Sequence, residues 1–121
     1  MSCFINHTNH PSSQWNEDQK KAAARYGEIL DLPFPSIPPN ASAEEVSAMA
    51  EDMFHRMLRL RPCVVLCQGE FTYSYALIRL LRKEGISVVA ACSERDVTEW
   101  NEGETSQKSV RFRFIQFRQY L

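Results

Sequence analysis

The stretch PCVVLCQGEFTYSYALIRLLRKEGISVVAACSE, residues 62–94, decides the fold. It begins with a continuously apolar run, continues into a helical pattern that ends at Gly85, and returns to a second apolar run. Strands without polar alternation are typical of parallel sheets that are buried on both faces. The stretch therefore predicts a strand–helix–strand unit within a sheet that helices cover.

The residues before this unit repeat the alternation of strands and helices. Asn16 is a suitable N-cap for a first helix. Ser42 and Glu45 have capping-box spacing ahead of a longer helix, in which apolar residues recur at helical intervals. The predicted elements are strands over 2–6, 28–34, 62–69 and 86–94, with helices over about 16–26, from 42 onward and over 70–85.

The C-terminal residues indicate a different kind of strand. Within VRFRF (110–114), apolar and basic residues alternate, which is typical of a strand with one solvated face. The sequence VTEW (97–100) can pair with it as a hairpin through residues 101–108. We expect Phe112 and Phe114 to face the core.

Length and composition limit the protein class. The chain has 121 residues, the size of one domain, and a net charge of −1 from 14 basic and 15 acidic residues. This balance argues against a general polyanion binder, including a binder of duplex DNA. The first residues lack the basic start and long apolar stretch that are typical of a signal peptide, and no apolar run approaches the ~20 residues that a membrane span requires. All four cysteines lie in apolar runs, so we expect buried, reduced thiols in a cytoplasmic protein.

The order of elements predicts an α/β fold, a Rossmann-like or flavodoxin-like three-layer sandwich of four parallel strands plus a C-terminal β-hairpin, in a single domain over 1–121. In such sheets, ligands bind beyond the carboxyl ends of the strands, where the strand order reverses. Polar clusters follow the first, third and fourth strands: NHTNHPSS (6–13), QGEFTYSY (68–75) and SERD (93–96). The candidate ligand-binding residues are Asn6, Thr8, Asn9, Ser12, Gln68, Gly69, Thr72, Ser93, Glu94 and Arg95.

The polar clusters suggest an anionic or neutral ligand. Gly69 allows a close backbone approach, and the helix that follows offers free N–H groups to a phosphate or carboxylate. Arg95 either clamps a phosphate or pairs with Glu94 or Asp96 at the surface. No GxGxxG or GxxxxGK[ST] motif is present, so the sequence lacks the dinucleotide fingerprint and the P-loop.

Three residues are candidates for catalysis. His7 and His10 could act as acid and base near neutral pH, together with Glu70, which could equally be a first-turn acid that stabilises its helix. The candidate metal-ligating residues do not have a spacing that indicates a metal site, and no GxSxG motif supports a serine nucleophile. We therefore predict no metal and no cofactor.

The loop NHTNHP (6–11), together with CQGEF and ACSER, resembles small Rossmann-like proteins encoded beside CRISPR systems, a group that includes the CARF-type cyclic oligoadenylate binders and compact ring nucleases. The loop is similar to the Asn-x-[Ser/Thr]-x-His-Pro pattern of one compact branch. The basic C-terminal strand departs from a minimal core of this group. Matching site positions are Asn6, Thr8, His10, Gln68 and Gly69, with Arg95 as the phosphate partner.

The resemblance implies a homodimer that binds a cyclic oligoadenylate across the first-strand and fourth-strand edges. Some such proteins only bind the ring, and others cut it without metal by attack of a ribose 2′-hydroxyl. The first hypothesis is therefore a nucleotide second-messenger binding protein of antiviral defence, with ring-nuclease activity left open. The alternatives are a small hydrolase or transferase acting on a phosphate, sugar or nucleoside, and a non-catalytic interaction module that contacts a protein or RNA.

Overall fold

The computed structural model describes residues 2–121 as a mixed α/β fold. Within these residues, every helix is too short or too polar to cross a lipid bilayer. The strands are β1 (Cys3–His7), β2 (Glu28–Asp31), β3 (Val64–Cys67), β4 (Ser87–Glu102) and β5 (Thr105–Gln119), and the helices are α1 (Glu17–Ala24), α2 (Ala43–Leu60) and α3 (Phe71–Lys83).

The five strands form one sheet in the order β2-β1-β3-β4-β5. Strand β1 pairs in parallel with β2 and β3, β3 pairs in parallel with β4, and β5 pairs antiparallel to β4. The predicted α/β class with a mostly parallel sheet is confirmed. The predicted caps are also confirmed: the Asn16 side chain accepts from the Gln19 N–H, and Ser42 and Glu45 form a reciprocal capping box.

Apolar side chains build two core clusters on opposite faces of the sheet. Successive strand residues point to opposite faces, so Phe4 and Ile5 of β1 belong to different clusters. The larger cluster contains Ile5 and the buried stripes of α2 and α3. The smaller cluster contains Phe4, Trp15 and Ala23 of α1. We call the face of the sheet that carries the smaller cluster the α1 face.

The fourth strand is much longer than the sequence predicted. It does not end near residue 94, because β4 continues to Glu102, turns at Gly103 (φ 63°) and returns as β5. Pairing between residues 93–102 and 105–114 supplies the hydrogen bonds along their shared edge, and no third strand flanks either segment. We call this two-stranded segment, residues 93–102 and 105–114, the ribbon. The predicted fourth strand (86–94) and the predicted hairpin strand VTEW (97–100) are both parts of β4.

Two predictions about buried side chains were partly wrong. Phe114 is buried as expected, whereas Phe112 is 69% exposed, because the ribbon extends past the helices that would cover it. Cys3 and Cys67 are buried, but Cys63 is exposed at the loop that precedes β3. Burial raises the pKa of the Cys67 thiol to about 11.

Candidate functional site

A cleft of about 710 Å³ opens on the α1 face, at the carboxyl ends of β1 and β3. Its volume falls within the ~300–1,000 Å³ that is usual for small-molecule sites. Because five uncharged amide side chains line it, we call it the amide cleft. It is lined by Thr8, Asn9, His10, Gln14, Trp15, Asn16, Gln19, Leu66, Gln68, Gly69, Ala91, Ser93, Phe112 and Phe114.

A hydrogen-bond network shapes the loop at one wall of the cleft. Asn6 is buried beneath the loop, and its Nδ2 donates to the His10 backbone oxygen (2.9 Å) and to Asp31 Oδ1 (2.8 Å). Thr8 Oγ1 donates to Asn6 Oδ1 (2.9 Å), and Asp31 also accepts from the Ser12 backbone N–H and hydroxyl. The sequence predicted Asn6 and Ser12 as ligand-binding residues. Their polar groups instead hold the loop that presents Thr8 and His10.

The residues after β3 form a second wall. Gln68 Oε1 accepts from the Ala91 backbone N–H at 2.7 Å, beyond the point at which β3 and β4 stop pairing. This bond holds Gln68 at the cleft, with its Nε2 donors on the same amide group. A Cβ atom on Gly69 would lie 2.3 Å from the Phe34 ring, so only glycine fits between the cleft and that ring.

Aromatic side chains form the apolar part of the cleft. Trp15 packs edge-on against Phe4, with ring centroids 6.2 Å apart, and the Phe114 ring lies 4.8 Å from the Phe117 ring. These contacts fix Trp15 in the smaller core cluster and hold Phe114 against Phe117, which packs on that cluster, whereas Phe112 extends the same surface onto the ribbon. A flat ring of a ligand can therefore stack on this wall while the amide groups opposite it bond its edge.

His10 is the only titratable side chain among the residues of 2–121 that line the cleft. The structure therefore brings together Thr8, Asn9, His10, Gln68, Gly69 and Ser93 of the predicted site. Across residues 2–121, no group of three or more His, Cys, Asp or Glu side chains is placed to hold a metal ion.

His7 does not reach the cleft, because alternation along β1 turns its ring towards the larger core cluster. It is fully buried, with Nδ1 2.7 Å from the Leu32 carbonyl and Nε2 2.8 Å from the Tyr73 hydroxyl. A carbonyl can only accept, so Nδ1 carries the proton and Nε2 accepts from Tyr73. Burial lowers the pKa of His7, although the Leu32 bond opposes the shift. The predicted acid–base histidine is thus a neutral structural residue.

Glu70 and Thr72 also lie away from the cleft. Glu70 is the N-cap of α3, where its carboxylate accepts from the Tyr73 backbone N–H and the Thr72 hydroxyl, both at 2.7 Å. These bonds hold the pKa of the Glu70 carboxyl below its usual range. Both residues line a separate groove beside Pro38 and Val46. The structure therefore does not pair Glu70 with His10 as an acid and a base.

Glu94 and Arg95 occupy the ribbon rather than a loop at the end of a strand. Glu94 forms an ion pair with Arg113 on the ribbon face that points away from the cleft. Arg95 lies opposite Phe112, outside the cleft, and lines a shallow depression on the ribbon. The extension of β4 moves both residues along the strand, so neither charge reaches the cleft.

Sequence reasoning missed several residues of the site. Four residues of the lining were not predicted to bind a ligand, although they precede or begin α1 beside the first loop: Gln14, Trp15, Asn16 and Gln19. Their polar side chains at the start of α1 were the available signal. Asp31 had no such signal, because its role depends on the pairing of β2 with β1.

The chain belongs to the family described as "Uncharacterized protein MJ1673 family", whose match covers residues 2–118. The match includes all three helices, strands β1 to β4, strand β5 as far as Arg118, and all residues that line the amide cleft. Neither the curated proteins nor the solved structures contain a match to the chain.

Proposed function

We propose that this protein binds a nucleotide in the amide cleft. The observation that carries the proposal is the composition of the cleft, which combines seven uncharged hydrogen-bonding side chains with three aromatic rings and one histidine. Amide groups present donors and acceptors together, which suits the mixed donor and acceptor edge of a base. The aromatic wall suits the face of the same base.

The geometry supports binding over acid–base catalysis by the protein. Catalysis by a pair of protein groups, one acid and one base, requires two titratable side chains at the reacting atoms, and His10 is alone in the described part of the cleft. His7 is neutral and fully bonded in the core, and the Glu70 carboxylate caps α3. Cleavage of a ligand by its own 2′-hydroxyl would need no second group, so the binding test below includes a product assay.

We further propose a compact Rossmann-like or flavodoxin-like three-layer sandwich, with four parallel strands extended by a C-terminal hairpin. Strand order and helix placement support this proposal, because β1 and β3 flank the point where strand order reverses. The cleft lies at that point. The loop that bears Thr8 and His10 resembles the corresponding loop of the small CRISPR-associated Rossmann-like proteins. A cyclic oligoadenylate is therefore the first candidate ligand. A cytoplasmic role in CRISPR-type antiviral defence is part of this proposal.

Calorimetric titration of the full chain tests the proposal. The ligands are AMP, ADP, cyclic tetra-adenylate and cyclic hexa-adenylate, with ribose 5-phosphate and inorganic phosphate as probes without a base. We expect adenine-bearing ligands to bind and the two probes without a base to bind at least about tenfold more weakly, because stacking contributes ~1–3 kcal/mol per base. Chromatography of the ligand after incubation shows whether it has been cleaved.

Two pairs of variants locate the binding site. Asn9→Ala and His10→Ala should each weaken binding by about 2- to 10-fold, the value of one lost hydrogen bond. Asn101→Ala and His55→Ala make the same chemical changes at exposed positions on the ribbon and on α2, and should leave affinity unchanged. If no nucleotide binds, or if both pairs weaken binding equally, the proposal is wrong.

A further inference from the structure

The ribbon has one charged face and one apolar face. On the face that points away from the cleft, Glu94 pairs with Arg113, and Asp96 lies opposite Arg111. Side chains alternate along each strand, so the next residues face the α1 side, where Val97 lies directly opposite Val110. This face continues the aromatic wall of the amide cleft through Phe112, Val97 and Val110.

No element of residues 2–121 covers the apolar face of the ribbon. Val97, Val110 and Phe112 are 44%, 41% and 69% exposed. A two-stranded hairpin is marginally stable in water unless its apolar face packs against another surface. A partner that buries these side chains would therefore stabilise the ribbon.

The arrangement of charges on this face is self-complementary. Arg95, Val97 and Glu99 follow one another on the apolar face of β4, with opposite charges at equal distances from Val97. None of the salt bridges within residues 2–121 uses Arg95 or Glu99. A two-fold axis through Val97 would place Arg95 of each copy against Glu99 of the other.

The same axis matches the second strand. Along β5, Lys108 and Phe112 lie at equal distances on either side of Val110. Antiparallel stacking of two ribbons places Val110 on Val110 and Lys108 of each copy over Phe112 of the other. A lysine over an aromatic face is a favourable cation–π contact. Six side chains of this face thus meet a chemically matched partner: Arg95, Val97, Glu99, Lys108, Val110 and Phe112.

We propose that two copies of this chain dimerise by packing the apolar faces of their ribbons against each other. The contact covers Phe112, which also lines the amide cleft, so the proposed dimer and the proposed nucleotide site share this side chain. About ten residue pairs of ribbon present roughly 300 Å² of face. This is less than the ~800 Å² per partner of a standard interface, so we expect a micromolar dimer.

Sedimentation equilibrium of the full chain without ligand tests the interface separately from nucleotide binding. The wild-type protein should pass from monomer to dimer through the micromolar range. Val97→Asp should abolish the dimer, because it places two carboxylates on the axis. Thr98→Asp introduces the same group on the opposite face of the same strand and should leave the dimer intact. Circular dichroism of both variants checks that they fold.

A charge exchange tests the antiparallel two-fold pairing directly. Arg95→Glu alone sets like charges against Glu99 of the second copy, and Glu99→Arg alone does the same against Arg95. Each variant should dimerise about tenfold more weakly than the wild type. Mixing the two variants restores both opposite-charge contacts, so a heterodimer should form. The repulsion between Arg at 99 and Lys108 of its own chain is the same before and after association.

Three outcomes would overturn the proposal. The wild type could stay monomeric throughout the micromolar range, Val97→Asp could leave a dimer intact, or the mixture could fail to restore association. A monomer whose affinity for RNA is lost with Val97→Asp would assign the ribbon to RNA instead. A wild-type chain that binds nucleotide but stays monomeric would refute this inference while leaving the proposed function in place.

Discussion

Substitution of Tyr73 by Phe tests the assignment of His7 as a structural residue. The change removes one hydroxyl from the fully buried Tyr73 and leaves His7 Nε2 without its 2.8 Å partner. A buried acceptor that loses its partner costs ~1–3 kcal/mol of unfolding free energy. For a chain of this size, each kcal/mol corresponds to roughly 3–5 °C, so the melting temperature should fall by about 3–15 °C.

The assay is urea denaturation followed by far-ultraviolet circular dichroism, at pH 7.5. Tyr75→Phe is the matched control, because Tyr75 lies two residues along the same helix and is 65% exposed. The control should stay within about 0.5 kcal/mol of the wild type, as is usual for surface changes. Equal stability of the two variants would refute a buried His7–Tyr73 bond and would return His7 to the list of catalytic candidates.

Three further predictions follow from buried or constrained groups. Because burial lowers the pKa of His7, the unfolded state binds more protons than the folded state. The free energy of unfolding should therefore fall by at most about 1.4 kcal/mol per pH unit as the pH drops below 6.5. A free energy of unfolding that stays constant from pH 7 to pH 5 would contradict this. Gly69→Ala should cost about 1–3 kcal/mol in urea titrations, since the new methyl meets the packed Phe34 ring, and unchanged stability would show that the ring moves freely. In the folded protein, iodoacetamide should label exposed Cys63 before buried Cys67, whose pKa is raised to about 11, and mass spectrometry of timed samples would reveal the reverse order.

The sequence predicted the elements whose signals are local. Continuous apolar runs identified β3 and the start of β4, and capping residues such as Ser42 located the helices. The position of the cleft was also predictable, since strand order places the residues after β1 and β3 side by side. Thr8, His10 and Gln68 were found for this reason.

Contacts between distant segments account for the predictions that were wrong. The sequence around His7 predicts a polar loop, but His7 is the last residue of β1. Its hydrogen-bond partners, Leu32 and Tyr73, are 25 and 66 residues away in sequence. The segment after Ser93 lacks the apolar content of a core strand. It becomes a strand because β5 supplies its hydrogen bonds, and this carries Arg95 away from the site.

Nuclear magnetic resonance of the ¹⁵N-labelled chain during titration with AMP and cyclic tetra-adenylate tests most directly whether the amide cleft binds nucleotides. We expect the side-chain amide signals of Asn9 and Gln68 and the indole signal of Trp15 to shift together and to saturate. The Asn101 amide and the Trp100 indole, both on the ribbon outside the cleft, should shift least. Signals that stay unchanged throughout the cleft at saturating nucleotide, or shifts confined to the ribbon, would contradict the account.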